Sequence, residues 1–580
     1  MWPTSKKNTY TKSEASSGLI PNQWDFIALV LVLTIIIVFG SSAKAMVGQF
    51  HIGETLNISL SPLALSYYAL RSVLRMFIAL ACSLLFTFIF GTLSAKSRNA
   101  ERIIIPMIDV LQSVPVLGFL SITVVGFIVL FQGSLLGPEC AAIFVIFTAQ
   151  VWNMTLSFYQ SLCSLTQDLK EASEILQLSS WQRFWRVELP FAMPGLLWNT
   201  MLSMSGSWVF LVASEAISVS DANILLPGIG SYIATAIEHA NKTAIIYVII
   251  AMFIVIACYD QLLFRPLVAW SAKFKSDQSS STETNSWVLH LFQRTHFFRH
   301  LGHYFSLFGD VVVNLSIFRN RSTQSDFRHV KRRRFTLYIF NTCLVLLIIL
   351  AVSTLLQFIF SNVTFLESSK VLYFGFITAL RVMILIVFSS LIWIPIGVWI
   401  GLHPRFSQWA QPIIQFLAAF PANLLFPIVV IFIVRYHLNV DIWISPLMIL
   451  GAQWYILFNV IAGASALPQH LHHAVGILKV EGFLWWRRFI LPGIFPYYIT
   501  GVITAAGGAW NISIIAEAAS WGHTHLHAIG LGYYITKVAM EGNFPRLALG
   551  ISVMSLYVLS INRFIWRPLY NLAASRFQLR

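Results

Sequence analysis

The sequence predicts an all-α, polytopic membrane protein made of two tandem domains of about six transmembrane helices each. Three observations carry this reading. Of the 580 residues, 57% are hydrophobic and only 11% charged, and the mean hydropathy is +0.73, a composition suited to lipid rather than water. Apolar runs long enough to cross roughly 30 Å of hydrocarbon recur along the whole chain. The second half then repeats the first at a nearly constant spacing.

Taken in order, a tail of residues 1–23 brings Lys6, Lys7 and Lys12 ahead of the first apolar run. A signal peptide begins similarly, but this run lacks a convincing small-residue cleavage site and reads as a retained helix. Six spanning helices are expected at about 24–43, 66–95, 103–131, 140–162, 194–217 and 242–264, the third kinked or broken at Pro115 and Gly118. Residues 271–334 form a basic linker. Its first part, SAKFKSDQSSSTETNS, has a disordered composition, and 287–318 suits a membrane surface. HVKRRR at 329–334 then abuts the next apolar run. A second set of six helices follows at about 335–360, 372–401, 409–434, 443–463, 493–518 and 546–566. The domains are thus expected at 24–270 and 335–580.

Six crossings per half, starting from a cytoplasmic N-terminus, return both halves in one orientation and leave the C-terminus cytoplasmic. Most of the 38 Lys and Arg residues fall in the loops this assigns to the cytoplasm. The net charge of +15 is therefore accounted for by the membrane, with no need of nucleic acid. The five cysteines are scattered, without C-x-x-C or metal-like spacing, and read as small core residues.

The repeat is specific. At an offset of 306 residues, Arg75, Gly91, Pro106 and Pro115 match Arg381, Gly397, Pro412 and Pro421. At 302, Trp152, Leu189-Pro190, Trp208, Glu215, Gly228, Gly230, Tyr232 and Arg265-Pro266-Leu267 match Trp454, Leu491-Pro492, Trp510, Glu517, Gly530, Gly532, Tyr534 and Arg567-Pro568-Leu569. Each half also holds a long polar, helix-prone loop that ends in Leu-Pro: EASEILQLSSWQRFWRVELP from Glu171, and HAVGILKVEGFLWWRRFILP from His473.

These loops resemble the cytoplasmic "EAA" loop of ABC importer permeases, E-A-A-x3-G-x9-I-x-L-P. Glu171, Ala172, Ser173, Val187, Leu189 and Pro190 fit that pattern. Gln177 stands where the family has glycine; in the second copy His473 replaces the glutamate and Lys479 the glycine, while Ala474, Leu491 and Pro492 are kept. With Ser72-x-Leu-Arg75, Thr378-x-Leu-Arg381, Trp208-x6-Glu215, Trp510-x6-Glu517 and the Gly-x-Gly-x-Tyr that follows each, the chain is similar to the nitrate/taurine/sulfonate branch. The resemblance implies two type I ABC permease domains fused in one chain of a bacterial inner membrane. It implies two separate ABC ATPase subunits that bind ATP and Mg and contact the two loops, and an external solute-binding protein. It further implies a small anionic solute resembling nitrate, sulfonate or bicarbonate, met by Arg75 or Arg381. An amphipathic interfacial helix without a partner is the other reading of the loops.

Charge inside a membrane is costly. Arg75 and Glu215 each lie about 21 residues from the cytoplasmic ends of their helices, so both sit roughly 30 Å from that face. Pairs Arg75–Glu215 and Arg381–Glu517 are expected, either fixing two helices together or bordering the solute path. His523-x-His525-x-His527 would share a strand face, but it lies on the opposite side from His470, His472 and His473 and reads as loop histidines, not a metal site. There is no phosphate loop, nucleophile elbow or H-E-x-x-H, so neither a catalytic residue nor a cofactor is expected on this chain. Two rivals remain, a secondary transporter with parallel halves and a membrane scaffold without transport.

Overall fold

The computed structural model describes residues 40–46, 57–219, 222–271, 330–522 and 524–576, with isolated positions 48, 273, 288, 289 and 314. The tail, most of the first expected helix, most of the linker and His523 lie outside the described residues. By internal contacts the chain divides into a smaller unit (residues up to Lys44, 157–198 and 258–326) and a larger one (45–156, 199–257 and 327–580).

In the first half, α1 (Pro62–Lys96) starts where Ser61 caps the Ala64 amide and Pro62 takes the first helical position. The third expected span is two helices, α2 (Arg98–Ser113) and α3 (Leu120–Leu130), separated by the stretch that holds Pro115 and Gly118. Then come α4 (Leu136–Cys163), α5 (Gln167–Ile175), α6 (Ser180–Glu215), an antiparallel hairpin of β1 (Ala216–Val219) and β2 (Ala222–Leu225), α7 (Ile229–Glu238) and α8 (Lys242–Ser271).

The second half runs α9 (Val330–Phe360), α10 (Phe365–Leu402), α11 (Pro404–Ala419), α12 (Phe426–Arg435), α13 (Val440–Leu450), α14 (Gln453–Ser465), α15 (Gln469–Ile477) and α16 (Gly482–Ala516). It closes with β3 (Ser520–Trp521), β4 (Thr524–His525), α17 (Leu531–Met540) and α18 (Phe544–Ala573). Two expected spans are sharply bent: 78° between α11 and Ala422–Arg435, and 46° between α13 and α14. Among the described residues, seven helices are long and apolar enough to cross a membrane, or up to nine if each bent pair is one span. The chain is an all-α multi-pass membrane protein.

Four of the spans begin or end in a π-helical turn followed one residue later by proline. Phe184–Glu188 precedes Leu189-Pro190, Asp260–Phe264 precedes Arg265-Pro266, Trp486–Ile490 precedes Leu491-Pro492, and Asn562–Trp566 precedes Arg567-Pro568. Proline supplies no N–H to the preceding turn and its ring crowds a carbonyl there. One extra residue in that turn absorbs the defect without breaking the helix. For this reason α6 and α16 reach back to Ser180 and Gly482, well before the apolar runs expected from 194 and 493.

Within the larger unit, α10, α14 and α16 pack on one another. Gly397 and Gly401 allow the closest approach, since a β-carbon there would strike Val460 and Ala464. Segments of both sequence halves also meet in this unit. The Val116 amide, next to the broken helix, donates to Asn511 Oδ1 (2.8 Å), and the Phe253 and Phe416 rings lie 4.5 Å apart. The cysteine expectation is corrected: Cys82, Cys163 and Cys258 are exposed and Cys140 half-buried. In a protein whose exterior faces hydrocarbon, a small apolar side chain has no reason to prefer the inside.

Candidate functional site

The charged residues expected inside the membrane gather where two short helices begin, α7 and α17, which the sequence reading did not foresee. Glu215 is the last residue of α6, and the β1–β2 hairpin turns the chain so that α7 begins against it. The Gly230 amide donates to Glu215 Oε2 (2.7 Å), the Ser72 hydroxyl donates to Oε1 (2.5 Å) and accepts from the Ile229 amide (3.0 Å), and Arg75 Nη1 lies 2.6 Å from Oε1. The carboxylate and the Ser72 hydroxyl thus satisfy the first two free amides of α7 at its positive end. Glycine is needed at both positions of Gly-x-Gly. A β-carbon on Gly228 would fall within the Glu215 carboxylate, and one on Gly230 would meet the Val212 carbonyl oxygen.

The second half repeats this at Glu517 and α17. Gly532 N–H donates to Glu517 Oε2 (2.7 Å), Thr378 Oγ1 donates to Oε1 (2.9 Å) and accepts from the Leu531 amide (2.9 Å), and Arg381 Nη1 is 3.3 Å from Oε1.

A second carboxylate in each half was missed. Glu139, in the first turn of α4, takes Arg75 through two bonds (2.5 and 2.7 Å) and Arg71 through another (2.6 Å). Asp441, its counterpart at the 302 offset, takes Arg381 Nη2 (3.0 Å). That shared offset was the available signal. The two networks differ in charge and access. Arg71 has Ile377 as its counterpart, so the first half holds two cations with two anions and the second holds one cation with two anions. Arg75, Glu139 and Glu215 are wholly buried, whereas the side chains of Arg381 and Asp441 are 13% and 45% exposed.

A further ion pair joins the halves on one edge only. Arg567 lies 2.6 Å from Asp109, while its counterpart Arg265 pairs with its own Asp260 at 3.2 Å. The sequence explains the difference: Asp109 has Gln415 as its counterpart, and Asp260 has Asn562.

The two loops share a backbone built from different residues. α5 ends with the Leu178 amide bonded to the Ser173 carbonyl (3.1 Å) and Gln177 left-handed (φ 51°); α15 ends with the Val480 amide on the Val475 carbonyl (3.2 Å) and Lys479 left-handed (φ 48°). A four-residue helical turn and a π-turn then lead to Leu189-Pro190 and Leu491-Pro492. Glu171, Ala172 and Gln177, and likewise His473, Ala474 and Lys479, are exposed. So are the apolar ends of the helices, Ile175 at 81% and Ile477 at 82%, each followed by an exposed leucine, Leu176 and Leu478. A non-glycine residue in the left-handed region costs about 1 kcal/mol. Gln177→Gly and Lys479→Gly are therefore each expected to raise the melting temperature slightly; a fall in both would show that the side chains hold the turns.

At the meeting of the halves lies a cavity of about 340 Å³, walled by α4, α6, α14 and α16 with the ends of α2 and α11. Matched positions face it from both sides: Ala149 and Gly451, Asn153 and Tyr455, Gly206 and Gly508, Val209 and Asn511. Its polar residues are amides, hydroxyls and the Trp152 indole, and none of its lining residues is charged. Arg75, Arg381, Glu215 and Glu517 are not among them, nor are Trp208 and Trp510, which are buried in the helix packing. Among the described residues no group of three or more His, Cys, Asp or Glu could hold a metal ion.

Comparison with known proteins places these features in context. The model of the family described as "binding-protein-dependent transport system inner membrane component" matches twice, over residues 85–264 and 393–565. The chain is 25% identical over 177 residues to the bicarbonate transport system permease protein CmpB of Synechococcus elongatus, covering 30% of this chain and 60% of that protein. It is 27% identical over 175 residues to the nitrate import permease protein NrtB of a Synechocystis species (30% and 57%). Against the taurine transport system permease protein TauC of Escherichia coli, the identity is 26% over 175 residues (30% and 61%). The matched stretch thus spans about three fifths of the length of each of these relatives.

Proposed function

The chain belongs to the binding-protein-dependent transport system inner membrane component family, and we propose that it forms both membrane halves of an ATP-driven importer for a small anionic solute. One observation carries this: the family domain occurs twice, and residues of both copies wall a single polar, uncharged cavity. The solute crosses between the halves. A duplicated permease needs a way in that both halves can open and close in turn, and a cavity on their shared boundary provides it.

ATP hydrolysis belongs to separate ABC ATPase subunits, which grip α5 and α15. The matched left-handed turns and the exposed Ile175-Leu176 and Ile477-Leu478 pairs support that reading, because an apolar pair left uncovered among polar residues at corresponding places of a duplicated chain suits a docking point. An external solute-binding protein delivers the substrate, and the protein sits in a bacterial inner membrane with both termini in the cytoplasm. The Arg–Glu pairs act as fasteners for α7 and α17 rather than as solute contacts, since their atoms are spent on one another.

Purifying the full chain from its native membranes is expected to bring an ABC ATPase with it. Ile175→Asp together with Ile477→Asp should then lower solute-stimulated ATP hydrolysis by about tenfold or more, the size of a typical coupling energy, without changing the melting temperature. Uptake that continues with no ATPase present would instead favour a secondary transporter.

A further inference from the structure

The two strand pairs are crossed between the halves. β1, from the first half, lies against α17 of the second, and β3, from the second half, lies against α7 of the first. Each pair also rests on the broken helix of its own half, β1 on α3 and β3 on α12. At the crossing the Gly522 amide, just past β3, donates to the Ile237 carbonyl of α7 (2.9 Å). The side chains there are apolar: Ile224 and Leu226 of the first half and Ala519 and Ala528 of the second belong to one continuous buried cluster.

The crossing stands over the cavity. α6 and α16 wall it as far as Phe210 and Ile512 and end at Glu215 and Ala516, so the strands begin within roughly 10 Å of its end. In the orientation proposed above, that end faces outward. The joints within a half and between the halves also differ in kind. Within each half the short helix is held to Glu215 or Glu517 by charge-assisted bonds from its amides. The Leu226 and Ala528 amides, which follow the strand pairs, return to the carbonyls of the same two glutamates (2.9 and 3.0 Å). Strand pair and short helix therefore travel with their own half. Between the halves the seam is apolar side chains and a backbone bond, which can part without stranding a buried charge. When the halves rock, this seam is the place that yields.

We propose that the crossed strand pairs are the outer gate of the solute path, closed in this structure, and that each transport cycle separates β3 from α7 and β1 from α17. The gate rests on the importer reading above and says where that path opens.

Ala240 and Gly522 meet across the seam: a β-carbon on Gly522 would lie 3.4 Å from that of Ala240, close to the about 3.5–4.5 Å that a disulfide takes. The full chain, with its five cysteines replaced by alanine and returned to cells that lack the native copy, gives the test. Ala240→Cys with Gly522→Cys should cross-link under copper phenanthroline and lose at least about tenfold in nitrate or methanesulfonate uptake, because the conformational step is blocked. Dithiothreitol should restore uptake, and the cysteine-free chain should ignore both reagents. Gly522 is left-handed (φ 55°), which a cysteine adopts with strain, so a milder variant gives a second reading. Ile224→Cys, at a position 7% exposed, should react with a membrane-impermeant maleimide at least about tenfold faster in cells with ATP than in cells depleted of it, since the open state is the minor one at rest. Residues 240 and 522 that fail to cross-link in a chain that transports, a cross-linked chain that transports at the full rate, or equal labelling of Ile224→Cys with and without ATP would each overturn the gate. The importer reading fails differently, through a cysteine-free chain whose uptake continues in cells depleted of ATP. A cysteine-free chain that takes up neither anion would count against the proposed solute class, and the labelling of Ile224→Cys then decides the gate by itself.

Discussion

Gly230→Ala is expected to lower stability by on the order of 3 kcal/mol and to release α7 from Glu215. The new methyl group would meet a backbone carbonyl, that of Val212, with the Glu215 side chain pressed against its other side. Neither can swing aside as the tip of a flexible chain would. Gly532→Ala should act in the same way through the Ser513 carbonyl. Gly126→Ala is the matched control, because nothing lies within 4 Å of a β-carbon there, and replacing a glycine inside a helix by alanine is favourable by about 1 kcal/mol. Melting in detergent should therefore shift down for Gly230→Ala and slightly up for Gly126→Ala. If Gly230→Ala melts with the wild type, the seating of α7 on the carboxylate is not what holds it.

The second large effect is expected at Arg75. Removing one partner of a buried ion pair costs about 3–5 kcal/mol, because the remaining charge stays buried without compensation. Arg75→Ala would leave Glu215 with no cation and Glu139 with Arg71 alone, all out of reach of solvent. Arg75→Lys should rescue little, since an ammonium cannot span two carboxylates as the planar guanidinium does. Arg381→Ala should cost less. Asp441 is 45% exposed, and an anion that water can reach is partly relieved when its partner goes. Thermal unfolding of Arg75→Ala, Arg75→Lys and Arg381→Ala in one detergent would rank them in that order of severity. Equal losses for the two alanine variants would count against the difference in burial as its cause.

Much of this architecture is legible in the residues. The apolar runs mark the long spans, Pro115 and Gly118 mark the break between α2 and α3, and the 302-residue offset aligns one half with the other. The depth of Arg75 and Glu215 along their helices puts them at one level. Other parts were hidden for physical reasons. α7 and α17 are ten-residue helices, too short for periodicity to separate them from loop, and each opens with the glycines that usually signal one. Glu139 and Asp441 stand in the first turn of their helices, where acidic residues are ordinary and draw no notice. The left-handed turns at Gln177 and Lys479 were also hidden, because the expected glycine is absent and the hydrogen bonds of the helix end hold the backbone without it. The cavity could not be read at all, since its wall is assembled from six helices far apart in the chain.

The seating of a carboxylate in the room left by two glycines has a consequence for descent. At Gly228 and Gly530 any side chain larger than hydrogen would have to share space with the acid, so the glycine cannot drift while the acid remains. Lineages carrying this fold would have to give up the acid before the glycine, never the reverse. In a duplicated chain the restriction applies twice, independently, even while the residues between the two copies diverge.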